Sequence, residues 1–168
     1  MITIEIVSYD NSEYYTAIEK FNCGHKHFNE FLKSADEFGT TFLFIDKDSK
    51  SIVGFMSFCC SNIKIKGKIE PAIEIKLFAI DEKWQGEIVD GDTLAKRFMK
   101  TFIEYFMQIS EKTIKADYVV LHSMTKKSTN FYKGLNFIEV ETDIETGEQE
   151  KVRVGAFEKK CAPMFLKL

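Results

Sequence analysis

The sequence predicts an α/β fold of the α+β kind, with a mixed central sheet of about six to seven strands and flanking helices, as a single domain over residues 1–168. Three observations predict it. Short segments with period-two alternation or continuous apolar character recur along the chain, a long amphipathic helical pattern runs from Asp92 to about Ile109, and a buried strand follows that helix. Length and composition agree: 168 residues with 45% hydrophobic and 14% aromatic content suffice for a sizeable core.

Taken in order, Ile2 to Ser8 alternates and reads as a strand, and Asn11 or Ser12 is placed to cap a short helix carrying Tyr14, Tyr15 and Ile18. A second helix is expected after Gly24, with Phe28, Phe31, Leu32 and Ala35 on one face, ending near Gly39. Residues 40–46 and 51–60 read as a hairpin around the polar segment Lys47 to Lys50. An irregular stretch then leads to a strong strand from Ala72 to Ile80, with Pro71 marking its start.

The long helix carries Leu94, Phe98, Phe102, Phe106 and Ile109 as an apolar stripe, and Asp90 or Asp92 is available as its cap. Residues 117–123 form a buried strand, residues 126–135 a short helix, and residues 136–141 and 162–168 further strands. Residues 142–154, with a polar centre at Glu145 to Gly147, suggest an exposed hairpin.

Several classes are excluded or disfavoured. A net charge of -3 argues against binding nucleic acid by general phosphate neutralisation. The opening residues lack a basic and then apolar leader pattern, and no apolar run reaches the roughly 20 residues that span a bilayer, so a cytoplasmic location is expected. Cys23, Cys59, Cys60 and Cys161 make a poor disulfide framework and read as buried free thiols. Cys23, His25 and His27 lack a fourth ligand at sensible spacing, so no metal is expected. His122 beside Ser123 lacks the glycines of a hydrolase nucleophile elbow, and the alternation in residues 63–68 reads as a solvated strand face.

Two local sequences carry a more specific signal. Residues 74–86, EIKLFAIDEKWQG, are a strand ending in Asp, then aromatic-Gln-Gly; residues 130–137, NFYKGLNF, end a helix with a Phe-Tyr pair and step into a strand. Both resemble the GNAT superfamily of acetyl-CoA-dependent N-acetyltransferases, over nearly the whole chain. Asn136 stands where Gly is usual, and Asn tolerates the left-handed conformation needed there. Residues 21–34 and the final APMFLKL resemble the GNAT subgroup that includes toxins of toxin–antitoxin pairs, whose members acetylate charged tRNA.

The resemblance implies acetyl transfer from acetyl-CoA to an amine acceptor, small or macromolecular. Tyr132 would protonate the leaving thiolate, and Glu74 would accept the amine proton through water; a surface or cross-strand ion pair, with Lys76 or a neighbour, is the structural alternative for Glu74. Backbone groups at Phe78, Ala79 and Ile80 would orient the thioester. Gln85, Gly86, Glu87, Val89, Gly91, Asp92 and Thr93, with Thr125 and Ser128, would contact the cofactor. An antitoxin-like partner and a homodimer are within the family pattern, no membrane is, and the negative charge disfavours tRNA.

The segment from Gln85 to Asp92 departs from the family's phosphate loop. Val89 or Ile88 replaces a glycine, and Glu87, Asp90 and Asp92 surround the place where backbone amides meet a pyrophosphate. Each carboxylate would oppose that anion by on the order of a kcal/mol. Two alternatives therefore stand beside general acetyl transfer: a catalytically impaired GNAT-like binding module, and a toxin-type enzyme acting on aminoacyl-tRNA.

Overall fold

The computed structural model describes residues 3–35, 39–65, 67–140 and 161–168. Its elements are β1 (Ile4–Ser8), α1 (Asn11–Lys20), α2 (Lys26–Leu32), β2 (Thr40–Asp46), β3 (Ile52–Ile65), β4 (Lys68–Ile80), β5 (Ile88–Val89), β6 (Asp92–Thr93), α3 (Leu94–Ile109), β7 (Tyr118–Ser123), α4 (Lys126–Lys133), β8 (Ile138–Glu139) and β9 (Ala162–Lys167). Seven strands pair in the order β1-β2-β3-β4-β7-β9-β8, with α3 in the connection from β4 to β7. This is the mixed α/β architecture expected. The expected hairpin at 142–154 lies outside the described residues.

The described residues pack as two compact units, residues 1–59 with 75–104 and residues 60–74 with 105–168. In the first, β1, β2 and β3 are antiparallel, with Leu43 opposite Phe55 and Phe44 opposite Gly54. Alternation sends Phe42 and Phe44 to one face. There Phe44 stacks on Phe98 of α3 at 4.0 Å, and Phe102 lies 5.7 Å from both Phe42 and Phe44. On the other face Phe55 meets Phe21 edge-on at 5.5 Å and stacks with Phe31 at 6.1 Å. Burying such a side chain fully contributes roughly 1.5–3 kcal/mol, so the phenylalanines are the main apolar cement here.

Gly54 is the close approach that this packing requires. A Cβ on it would fall 2.5 Å from the Ala79 carbonyl oxygen and 3.0 Å from the Phe44 ring. Nearby, residues 22–24 are tied to the end of β4: the Asn22 amide donates to Asp81 at 3.0 Å and its side chain to Glu82 at 2.9 Å. These bonds fix the chain leaving β4.

In the second unit β9 lies antiparallel between β7 and β8, pairing Tyr118 with Lys167 and Ile138 with Phe165. The turn after α4 places Asn136 at φ 66°, the left-handed conformation for which Asn was expected to substitute for Gly. The Leu135 and Phe137 amides both donate to the Tyr132 carbonyl, at 2.9 and 3.1 Å, and close the helix end.

Several expectations are corrected. Asp10, not Asn11 or Ser12, caps α1, accepting from the Ser12 and Glu13 amides. The second helix ends at Leu32, well before Gly39. Pro71 lies inside β4 rather than at its start, and it is exposed there. Thr93 rather than Asp90 or Asp92 caps α3, its hydroxyl accepting from the Lys96 amide at 3.3 Å. All four cysteines are free, but only Cys23 is buried.

Candidate functional site

The end of β4 is apolar and ordered. Ala79 and Ile80 are buried, Phe78 is half-buried with its ring 6.4 Å from Phe44, and the Asp81 amide donates to the Val53 carbonyl at 2.9 Å. Gln85 turns back onto this end. Its amide nitrogen donates to the Ile80 carbonyl at 2.9 Å and to the Cys23 carbonyl at 3.1 Å. Gln85 therefore acts locally by bridging the exit of β4 to the approach to α2.

Beyond Gly86, at φ 81°, the chain forms a miniature antiparallel hairpin, pairing Ile88 with Thr93 and Val89 with Asp92. Asp90 (φ 51°) and Gly91 (φ 84°) make its turn, the positive-φ pair of a type I′ hairpin for which Asp-Gly is a favoured sequence. The segment is thus not an open nest of amides. At the helix start the Leu94 amide donates to the Glu87 carbonyl at 3.0 Å, and the Lys96 amide is taken by Thr93.

The charges of the hairpin are also answered from within. Arg97 pairs with Asp90 and donates to the Val89 carbonyl at 3.1 Å, while Lys96 and Lys100 hold the two oxygens of Asp92 at 2.8 and 2.7 Å. The hydrogen bonds from Lys100 and then Lys96 pull the Asp92 carboxyl down from 3.8 to about 2. Asp90 and Asp92 are thus paired with Lys96, Arg97 and Lys100, which offsets part of the expected repulsion of an anion. The sequence signal was the basic cluster on the first turns of α3, which answers acids four to eight residues earlier.

In the second unit Thr125 and Ser128 form a reciprocal capping box on α4. The Thr125 hydroxyl accepts from the Ser128 amide, and the Ser128 hydroxyl accepts from the Thr125 amide, both at 3.1 Å. Ser123 and Thr129 extend this hydroxyl cluster at 2.7 and 2.9 Å. The helix so fixed carries Tyr132, whose ring is edge-on to Phe131 at 5.2 Å and to Phe137 at 5.6 Å. Burial raises the Tyr132 phenol above its ordinary range, so it holds its proton at neutral pH.

Glu74 is 5% exposed on β4. Its Oε1 lies 4.0 Å from Nδ1 of His122, a buried imidazole on β7. The structure brings a histidine 48 positions away to it from the neighbouring strand, a pairing with no local sign in the sequence. His122 shares the Tyr118 and Val120 face of β7 by alternation, and that was the only local clue to its direction.

No protein-family model and no curated protein sequence matches the chain. Solved structures do. The crystal structure of a bacterial toxin matches with a TM-score of 0.77 at 16% identity, covering 99% of this chain and 92% of that one. AtaT complexed with acetyl-methionyl-tRNAfMet matches with 0.73 at 15% identity, over 98% of this chain and 95% of that one. A Tyr-to-Phe variant of AtaT bound to the C-terminus of the antitoxin AtaR and acetyl-CoA matches with 0.66 at 17% identity, over 98% and 92%. What is shared at these identities is the fold.

Proposed function

We propose that the chain transfers an acetyl group from acetyl-CoA to the amino group of an aminoacyl-tRNA, and that an antitoxin-like protein restrains it. The observation that carries this reading is the likeness over 98–99% of the chain to toxin structures, among them AtaT with acetyl-CoA and antitoxin and AtaT with acetylated tRNA. Exposed Lys126 and Lys127 in the first turn of α4 supply local positive charge that the net value of -3 conceals.

Acetyl-CoA supplies the activated thioester. Phe78, Ala79 and Ile80 at the end of β4 orient it through their backbone groups. Tyr132, protonated at neutral pH, gives its proton to the departing thiolate. At the pyrophosphate end the fit is different. Gln85 and the Leu94 and Lys96 amides are already engaged, so Lys96, Arg97 and Lys100 meet the anion by exchanging it for Asp90 and Asp92.

Calorimetric titration with acetyl-CoA tests the cofactor step, and growth arrest on expression, relieved by Tyr132→Phe, tests the toxic activity. Absence of both binding heat and thermal shift at millimolar acetyl-CoA refutes the enzyme reading. That result supports a second reading, favoured by the closed hairpin at Ile88 to Thr93: a GNAT-fold module that binds a protein partner without catalysis.

A further inference from the structure

We propose that the first unit carries a separate ligand site, a charge-separated cavity that takes a free di- or tripeptide by its two ends. The cavity has a volume of about 490 Å³, within the roughly 300–1,000 Å³ of small-molecule sites. Its lining residues all belong to residues 1–59 and 75–104, and none of them is assigned to acetyl transfer. The site therefore stands or falls independently of that reading.

Its length is set by α1. Glu13, Ala17 and Lys20 line the cavity at spacings of four and three residues, so they share one face of the helix. Glu13 and Lys20, seven residues apart, are separated by about 10 Å along the axis. The strands give an apolar floor: Ile45 and Ile52, opposite one another on β2 and β3, are each 2% exposed, and Phe21 is 5% exposed.

The charges are sorted along that length. Glu13 and Glu5 mark one end, where the Tyr14 phenol is pushed up first by its hydrogen bond to Glu13, then by burial and by the charges of Glu13 and Glu5. Lys20 marks the other end, joined by Lys83 just after β4 and by Lys50 in the β2–β3 turn. In that turn the Asp46 carboxyl is held low chiefly by the Ser49 hydroxyl and further by the charge of Lys83. Lys20, Lys50 and Lys83 make no ion pair among the described residues, whereas both oxygens of Asp81 accept backbone amides, from Asn22 at 3.0 Å and Lys83 at 3.2 Å. Lys50 adopts φ 55°, which Gly or Asn takes with less strain, so the turn itself does not call for a lysine.

Glu5, Glu13 and Asp81 against Lys20, Lys50 and Lys83 give the lining a formal charge of zero, so the matching ligand is neutral overall and carries its charges apart. A simple anion would meet the lysines and leave Glu5 and Glu13 unanswered. A short peptide answers both ends. Extended, three residues span about 10 Å, the separation of Glu13 and Lys20. The peptide ammonium faces Glu5 and Glu13, its carboxylate the lysines, and its side chains the apolar floor.

Intrinsic fluorescence supplies the readout, because Trp84 is the only tryptophan and the Lys83 ammonium lies 5.8 Å from its ring centroid. Trialanine, N-acetyl-trialanine, trialanine amide and inorganic phosphate are titrated without acetyl-CoA, with calorimetry in parallel. Trialanine should saturate below about 1 mM, and each capped form should bind about tenfold more weakly, the loss of one charge-assisted contact. Glu13→Gln should weaken trialanine to a similar extent and leave N-acetyl-trialanine unchanged. Lys50→Gly, which suits the turn, should weaken trialanine and leave the amide unchanged. No saturable response to trialanine, capped forms that bind as tightly as trialanine, or phosphate that binds more tightly overturns the proposal. These comparisons use the wild-type protein, so they decide the matter even if a variant fails to fold.

Discussion

Replacing Thr125 with Ala removes the hydroxyl that accepts from the Ser128 amide at 3.1 Å while leaving the reciprocal bond, from the Thr125 amide to the Ser128 hydroxyl, in place. Loss of a threonine cap costs about 1 kcal/mol, within a range of roughly 0.5–2. α4 has only 8 residues, too few to persist on propensity, so the full cap contribution should appear in global stability. For a chain of this size about 1 kcal/mol lowers Tm by roughly 2–4 °C. Thermal unfolding followed by far-UV circular dichroism measures it, and Thr125→Ser, which keeps the hydroxyl, should melt with wild type. If the alanine and serine variants melt together, the cap is not what holds α4. A fall in acetyl-CoA affinity in Thr125→Ser, with Tm unchanged, would instead assign the Thr125 methyl to the cofactor.

Three further outcomes follow from the geometry. Phe98→Ala deletes the ring stacked at 4.0 Å on Phe44 and should cost about 3–5 kcal/mol in urea unfolding, the range for large buried aromatics. Asn136 at φ 66° should accept Gly without loss, whereas Asn136→Val should cost on the order of 1–2 kcal/mol in the same assay. The folded-state value of Asp92 is depressed from 3.8 to about 2, so its contribution is complete above 3.8 and disappears as pH falls toward 2. Asp92→Asn should therefore flatten the Tm–pH curve across that acid window and leave its shape above it unchanged.

What was legible in the sequence had a short-range cause. β2 appears at Thr40–Asp46 because alternation and the flanking turn define it locally, and α3 follows from its apolar stripe. The left-handed Asn136 was readable because a single residue's sterics decide it. The Asp90-Gly91 turn carried an equally local signal, yet the expectation of a phosphate loop obscured it. Pairings across the fold were not legible: Gln85 reaches back to the Cys23 carbonyl, and Glu74 meets His122 only once β4 and β7 are neighbours. Pro71 inside β4 misled because a proline without context reads as a boundary.

The charge-balanced hairpin ahead of α3 has a consequence for ionic strength. An anion that binds a basic patch normally releases mobile counterions, and its affinity falls steeply as salt is added. Here the counterions are Asp90 and Asp92, tethered in the same chain to Lys96, Arg97 and Lys100. On the acetyl-transfer reading a phosphate arriving here would displace covalently attached carboxylates rather than free ions. On the acetyl-transfer reading the entropy of ion release would be smaller, and the salt dependence of cofactor capture shallower, than for a basic patch without tethered acids.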